Sequence, residues 1–324
     1  MPHSTQILGI SNAIVDILAH VDDAFIDAIG ATKGAMNLID ETRAREIYER
    51  MGPATEMSGG SVANTVAGFA NLGGAAAYIG HVHDDQLGEI FNHDMRSIGV
   101  DIRLEPSADG SPTARSYILI TPDAQRTMNT YLGSCTELGT ADVTHATVGT
   151  PKLVLLEGYV WDIAEGPALT RRAIEIARDT GAKVALSLSD RYCVQRHRAA
   201  FADAIRAGVD IVIADENEII DLLEVDGFDA AVAALDATDT LYVMTRSEKG
   251  SVIVGGDEHV VQPATRVDNV VDTTGAGDAY TAGFLYGWAQ DWPLAECTKL
   301  GTHCATQVIQ QVGARIEPGL LDSY

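Results

Sequence analysis

The stretch Asp272–Asp278 reads DTTGAGD and sets an aspartate directly after Gly-x-Gly. The residues that follow, up to Gly287, have the spacing of a helix. Backbone N–H groups at a helix start lack intrahelical partners and, with the helix dipole, form an anion site. Gly275, Ala276 and Gly277 carry little or no side chain, so an anion can approach the backbone closely. Asp278 beside such a site suits a general base, taking a proton from a hydroxyl as it attacks phosphorus. On residue types alone a second reading stands beside it: an acid favoured by the dipole at a helix N-terminus. Two rival phosphate motifs are excluded. A dinucleotide fingerprint needs glycine where Tyr280 stands, and the Gly-Lys of a Walker loop occurs nowhere in the chain.

The elements that must hold this loop alternate in type. QILGISNA, AAAYIG, KLVLLEG, KVALSLS, VDIVIAD and TLYVMT read as strands. Helical patterns such as SVANTVAGFANLGG and PALTRRAIEIARDTG lie between them. That order predicts an α/β fold, a mainly parallel central sheet flanked by helices on both faces. Two segments break the rhythm, one near the N-terminus and one from Val100 to Gly133, where strand patterns and turn signals replace helices. They are expected to form a small, discontinuous β-rich lid of residues 13–39 and 100–133. Residues 1–12, 40–99 and 134–324 would then form the core. After Asp278, the small residues Ala279, Gly283 and Gly287 fall at spacing four and predict a ridge for close helix packing.

Composition narrows the function. The 324 residues, 46% of them hydrophobic in short blocks, suit one large α/β domain or one with a small attachment. A formal charge of −24 would repel extended nucleic acid. No apolar run reaches membrane-spanning length, and the N-terminal stretch lacks the pattern of a signal peptide, so a cytoplasmic protein is expected. Cys135, Cys193, Cys297 and Cys304 form no C-x-x-C and read as buried thiols. His81, His83 and His93 lack a ligand spacing, so no transition metal is assigned.

DTTGAGDAYTAGF resembles the C-terminal signature of the ribokinase-like (PfkB) family of carbohydrate and nucleoside kinases. GGSVANTVAGFANLGG, Gly59 to Gly74, is similar to that family's N-terminal signature. The resemblance implies a ribokinase-like core and lid, ATP and Mg²⁺ as cofactors, and transfer of the γ-phosphate to a primary hydroxyl. It makes Asp278 the base and the Gly275–Asp278 amides an anion hole. It places Asn12, Asp16, Gly59, Gly60 and Asn64 around the sugar. Thr245, Ser247 and Gly250 would border the nucleotide's phosphates and ribose, with Ser247 standing where the family commonly has glycine. Asp215 and Glu218, in VIADENEII, match the Mg²⁺-associated Asn-x-x-Glu with Asp in place of Asn, and would act on the ion through water. GTHCATQVIQQVGAR resembles the helix bordering the adenine, which makes Thr302 and His303 candidate lining residues; for His303 an ordinary surface or core role stands equally.

SNAIVDILAHVDDAFI resembles the opening of adenosine kinases, and TPDAQRTMNTYLGSC their lid return strand, with Arg126 placed to meet phosphate. Adenosine to AMP, a purine-salvage reaction, is the implied activity, carried out by a monomer or homodimer. Tyr159 and Trp161 are candidate stacking surfaces for the base, or core aromatics. Two alternatives remain: a kinase for ribose or a ketohexose, and a catalytically silent binding protein.

Overall fold

The computed structural model describes residues 5–123, 125–236 and 238–324. Residues 1–4, 124 and 237, which the expected core and lid segments include, lie outside the described residues.

In chain order the strands are β1 (Ile7–Ile10), β2 (Ile14–His20), β3 (Met36–Leu38), β4 (Thr55–Gly59), β5 (Ala76–Ile79), β6 (Asp101–Ile102) and β7 (Ala114–Ile120). They continue with β8 (Arg126–Tyr131), β9 (Leu153–Glu157), β10 (Lys183–Ser187), β11 (Ile211–Asp215), β12 (Leu241–Thr245), β13 (Ser251–Gly255) and β14 (Glu258–Gln262). The first sheet has nine strands in the order β14-β13-β12-β11-β10-β9-β1-β5-β6. It is parallel from β12 to β6; only β13 and β14 run antiparallel to their neighbours. This is the ribokinase-like α/β architecture.

Its strands read as continuous apolar runs because helices cover both faces. Leu8, Val154, Leu186 and Met244 point into one core layer, which holds Leu169, Val194 and Phe201 from the helices Gly166–Thr180 and Arg191–Gly208. Ile7, Leu155, Ile213 and Val243 point into the other, against Val62 and Phe69 of helix Ser61–Asn71 and Phe284 of helix Ala276–Ala289. Contact is close at Gly9 of β1. A Cβ there would lie 2.6 Å from Val62, so glycine lets the helix that begins at Ser61 seat directly on the strand. The small-residue ridge beyond Asp278 packs as its spacing implies, with Gly283 and Gly287 against helix Leu294–Val308.

The second sheet has five strands in the order β3-β8-β7-β2-β4. Its boundaries differ from the expected ones at β4, at β6 and at helix Glu41–Arg50. Strand β4, assigned to the core by sequence, pairs antiparallel with β2, Ile14 opposite Gly59. Strand β6, assigned to the lid, pairs with β5 in the first sheet. Both are short edge strands without an apolar run, so neither carries a pattern that says which sheet it closes. Helix Glu41–Arg50 goes with the second sheet, burying Ala44 and Ile47 against its outer face with Ile17 and Tyr117. Among the described residues no helix is long and apolar enough to cross a membrane.

Candidate active site

Ligands in open α/β folds bind beyond the carboxyl ends of the strands. Here a cavity of about 910 Å³ opens at that edge, lined by Ser187, Asp215 and Thr245 at the ends of β10, β11 and β12. It reaches Ser61, Gly275, Ala276, Gly277 and Asp278.

Two helices open on the site, and both begin at a glycine without a side-chain cap. Gly60, φ 95°, precedes helix Ser61–Asn71; Gly275, φ 70°, precedes helix Ala276–Ala289. By contrast, Asp22, Asp40, Asp85, Asp190 and Asp215 each cap a helix start elsewhere in the fold. At Gly275 a left-handed conformation and an absent Cβ are both required. A Cβ would lie 2.3 Å from that of Ala314. Among the described residues the amides of Gly275, Gly277 and Asp278 make no hydrogen bond. The amide of Ala276 instead donates to Thr273 O at 3.2 Å, so the expected anion hole holds three open N–H groups rather than four.

Asp278 is held from the other helix. Ser61 Oγ donates to its Oδ1 at 2.7 Å and Asn64 Nδ2 to its Oδ2 at 3.1 Å. Burial raises its pKa; the bonds from Ser61 and Asn64 and the charge of Arg315 oppose that rise. An acid so raised accepts a proton more readily than an exposed one. Asp16 shares the neighbourhood. Burial is the chief cause that pushes its pKa up to about 7, with Arg315 pulling it down and Asp278 adding to the rise. Its carboxylate fills the space beside Gly59, where a Cβ would approach it to 2.2 Å. Asn12 is buried, and its Oδ1 has no hydrogen-bond partner, a free acceptor for a ligand hydroxyl.

The structure thus brings Asn12, Asp16, Gly59, Gly60, Asn64 and Asp278 into one cluster, and Thr245, Ser247, Gly250 and Thr302 into the adjoining cavity. Ser247 has φ 50°, the left-handed backbone for which the family's glycine is suited. Asp215 and Glu218 also line the cavity, but each serves a reciprocal capping box. Asp215 Oδ1 accepts from the amides of Asn217 and Glu218, and Glu218 Oε2 accepts from the amide of Asp215 at 2.8 Å. Asp215 Oδ2 and Glu218 Oε1 remain without a protein hydrogen bond among the described residues. Glu216, between them, turns away to pair with Arg246 and Lys249.

Two expectations need correction. His303 does not line the cavity; its ring packs on Tyr324 at 5.3 Å, because one residue along a helix turns the side chain about 100° from Thr302. Trp161 is 5% exposed and packs edge-on against Phe201, while Tyr159 donates its hydroxyl to Asp190, so neither offers a stacking face to the cavity. Arg126 pairs with Asp272 and Thr274, which places its guanidinium at the glycine loop.

Four residues at the site were not singled out from the sequence, although Ser61, Asp272 and Arg315 lie inside the quoted motifs. Ser61 holds Asp278. Arg315 donates to Ser58 and Ala63. Asp272, 3% exposed, accepts from the amides of Thr274 and Gly313. Glu157, 1% exposed at the end of β9, accepts from Ser11 Oγ at 2.5 Å and from the amide of Val62 at 3.2 Å. Burial is the largest influence on Glu157 and lifts its pKa to about 7.

Open helix amides, a carboxylate fixed beside them and a large cavity at the strand ends define a phosphotransferase with an alcohol group as acceptor. The chain belongs to the pfkB family of carbohydrate kinases, whose model matches residues 18–319. The crystal structure of adenosine kinase from Sinorhizobium meliloti is 49% identical, with TM-score 0.92 over 99% of this chain and 98% of that one. A probable sugar kinase protein from Rhizobium etli CFN 42 is 45% identical, with TM-score 0.91 over 98% and 97%. Among curated proteins, the ATP-dependent ribose-1-phosphate kinase of Halopiger xanaduensis is 27% identical over 81% of this chain and 84% of its own length.

Proposed function

We propose that this kinase transfers the γ-phosphate of ATP to the 5′-hydroxyl of a nucleoside, adenosine foremost. The observation that carries the choice of acceptor is the inner face of the second sheet. Side chains alternate along a strand, so Asp16 and Leu18 share a face of β2. Register adds Met57 of β4, Ile118 and Ile120 of β7, and Met128 of β8 to that face. Leu18, Ile118 and Ile120 form one buried apolar cluster with Met57 and Met128 packed on it. An apolar surface beside a sugar-binding carboxylate suits a ribose that carries a flat base. A free sugar would present hydroxyls to it. The adenosine kinase named above supports the same acceptor.

In the reaction, Asp278 takes the 5′-hydroxyl proton as the oxygen attacks the γ-phosphorus. The bond from phosphorus to the bridging oxygen breaks and ADP leaves. The open amides of Gly275, Gly277 and Asp278 face the charge on the phosphoryl oxygens. The cavity fits ATP: apolar Val267, Val270 and Ile309 suit a base, and the uncapped helix start suits phosphates. The free oxygens of Asp215 and Glu218 are of the kind that holds Mg²⁺ through water, and the ion would neutralise phosphate charge there.

A sugar as acceptor is the second reading, favoured by the name of the curated relative. ADP formation from Mg-ATP with adenosine, inosine, guanosine, cytidine, ribose and fructose separates the two. Turnover with adenosine at micromolar concentration, and a larger rise in melting temperature with adenosine than with ribose, is the expected result. Turnover with sugars alone would move the acceptor and keep the mechanism. No turnover with any of them would leave a silent binding protein.

A further inference from the structure

Arg315 reaches across the chain to residues 257 and 252 positions earlier. Its Nη2 donates to Ser58 O at 2.7 Å and Ser58 Oγ at 2.8 Å, and its Nη1 to Ala63 O at 2.9 Å. Ser58 is the penultimate residue of the second sheet's edge strand, while Ala63 lies in the first turn of the helix that supplies Ser61 and Asn64 to Asp278. One guanidinium therefore bridges both sides of the Gly59–Gly60 link. The two residues before it touch the other half of the site. The amide of Gly313 donates to Asp272, and Ala314 abuts Gly275.

We propose that Arg315 is a positioning residue for phosphoryl transfer, clamping the Gly59–Gly60 link and setting a cation before both Asp278 and Asp16. This rests on the reading of Asp278 as the base. The planar fork of arginine can serve two carbonyls on separate elements at once; a lysine ammonium is a point charge on a flexible stem. The groups that face these carboxylates are known from every side. Asp278 meets Ser61, Asn64, Arg315, Asp16 and Glu157. Asp16 meets Arg315, Arg126 and Asp278. Arg315 also faces Asp94 and Tyr78, and although burial draws its pKa down to about 10 it stays a cation at neutral pH.

The test compares Arg315→Lys and Arg315→Met with the parent enzyme. It measures kcat, the pH profile of kcat/KM, and amide hydrogen exchange over Ser61–Asn64 without substrate. In Arg315→Met, kcat is expected to fall by about 100-fold, the cost of small misplacements of a reacting group. The acid limb of kcat/KM should rise by roughly one pH unit, because a removed cation no longer favours the carboxylate form. Arg315→Lys should keep the parent's acid limb, lose roughly tenfold in kcat and exchange faster at Ser61–Asn64. A folded Arg315→Met enzyme with the parent's kcat and acid limb would overturn the proposal. So would an Arg315→Lys enzyme with the parent's kcat and exchange, and that variant decides alone if Arg315→Met does not fold. If the parent phosphorylates neither nucleosides nor sugars, the proposed function falls while the exchange comparison still tests the clamp. Unchanged exchange in Arg315→Lys would then sink it.

Discussion

Arg126 and Asp272 join the second sheet to the glycine loop. The guanidinium of Arg126, at the first position of β8, pairs with the buried carboxylate that opens the glycine loop, and donates as well to Thr274 Oγ1. The same carboxylate holds the amides of Thr274 and Gly313. Movement of the second sheet is thereby tied to the shape of the loop that would face phosphate.

Arg126→Ala should therefore cost about 3 kcal/mol of stability, since it leaves Asp272 buried without its cation. Urea unfolding measures this. Because Asp272→Asn removes the stranded charge, the double variant should regain part of the loss. A single variant within about 0.5 kcal/mol of the parent would show that the pair contributes no more than a surface contact.

Asp278→Asn should lower kcat by several orders of magnitude, as expected when a base is removed from a pre-arranged site. Its melting temperature should hold or rise, because the buried carboxylate costs solvation energy that the amide does not. Single-turnover ADP formation and a thermal melt check both parts. Near-parental turnover would remove Asp278 from the mechanism.

Gly275→Ala should lose roughly 100-fold in kcat, the scale for a displaced oxyanion donor. The left-handed backbone disfavours any side chain, and the new Cβ would collide with Ala314 at 2.3 Å. Steady-state kinetics with ATP and the acceptor varied in turn should place the loss in kcat rather than in KM for the acceptor.

The ligand-free protein should become less stable as pH rises from about 4 to about 7. Asp16 ordinarily titrates near 3.8 and Glu157 near 4.5, and in the fold both are pushed up to about 7, chiefly by burial. Below that window both states hold the protons. Within it the unfolded chain releases protons that the folded chain keeps, so rising pH favours unfolding; above it the difference is constant. Melting temperatures from pH 5 to pH 8 should fall and then level, and Asp16→Asn should flatten the slope. A melting temperature that climbs steadily across the same range would contradict this.

What could be read early was local. The alternation of strands and helices followed from the apolar runs, and the two glycine-rich signatures marked two helix starts. The capping box was also written in the chain, as Asp215 three residues before Glu218, though it was not singled out; it uses one oxygen of each acid and leaves the other free. His303 was misplaced because a helix neighbour differs from Thr302 only in direction, which depends on what the helix packs against.

By itself the sequence determined the α/β layering, the loop from Asp272 to Asp278 and the placement of Asp278 at an uncapped helix start. Those features rest on periodicity and on hydrogen-bonding groups a few residues apart. Only the tertiary structure decided that β4 closes the second sheet, that Ser61 holds Asp278, that Arg126 pairs with Asp272, that Glu157 takes the amide of Val62, and that Arg315 donates to Ser58 and Ala63. Those contacts span 37 to 257 residues, from Leu18 opposite Thr55 to Arg315 on Ser58. They exist only where packed layers bring distant segments together, and no local pattern in the chain records them.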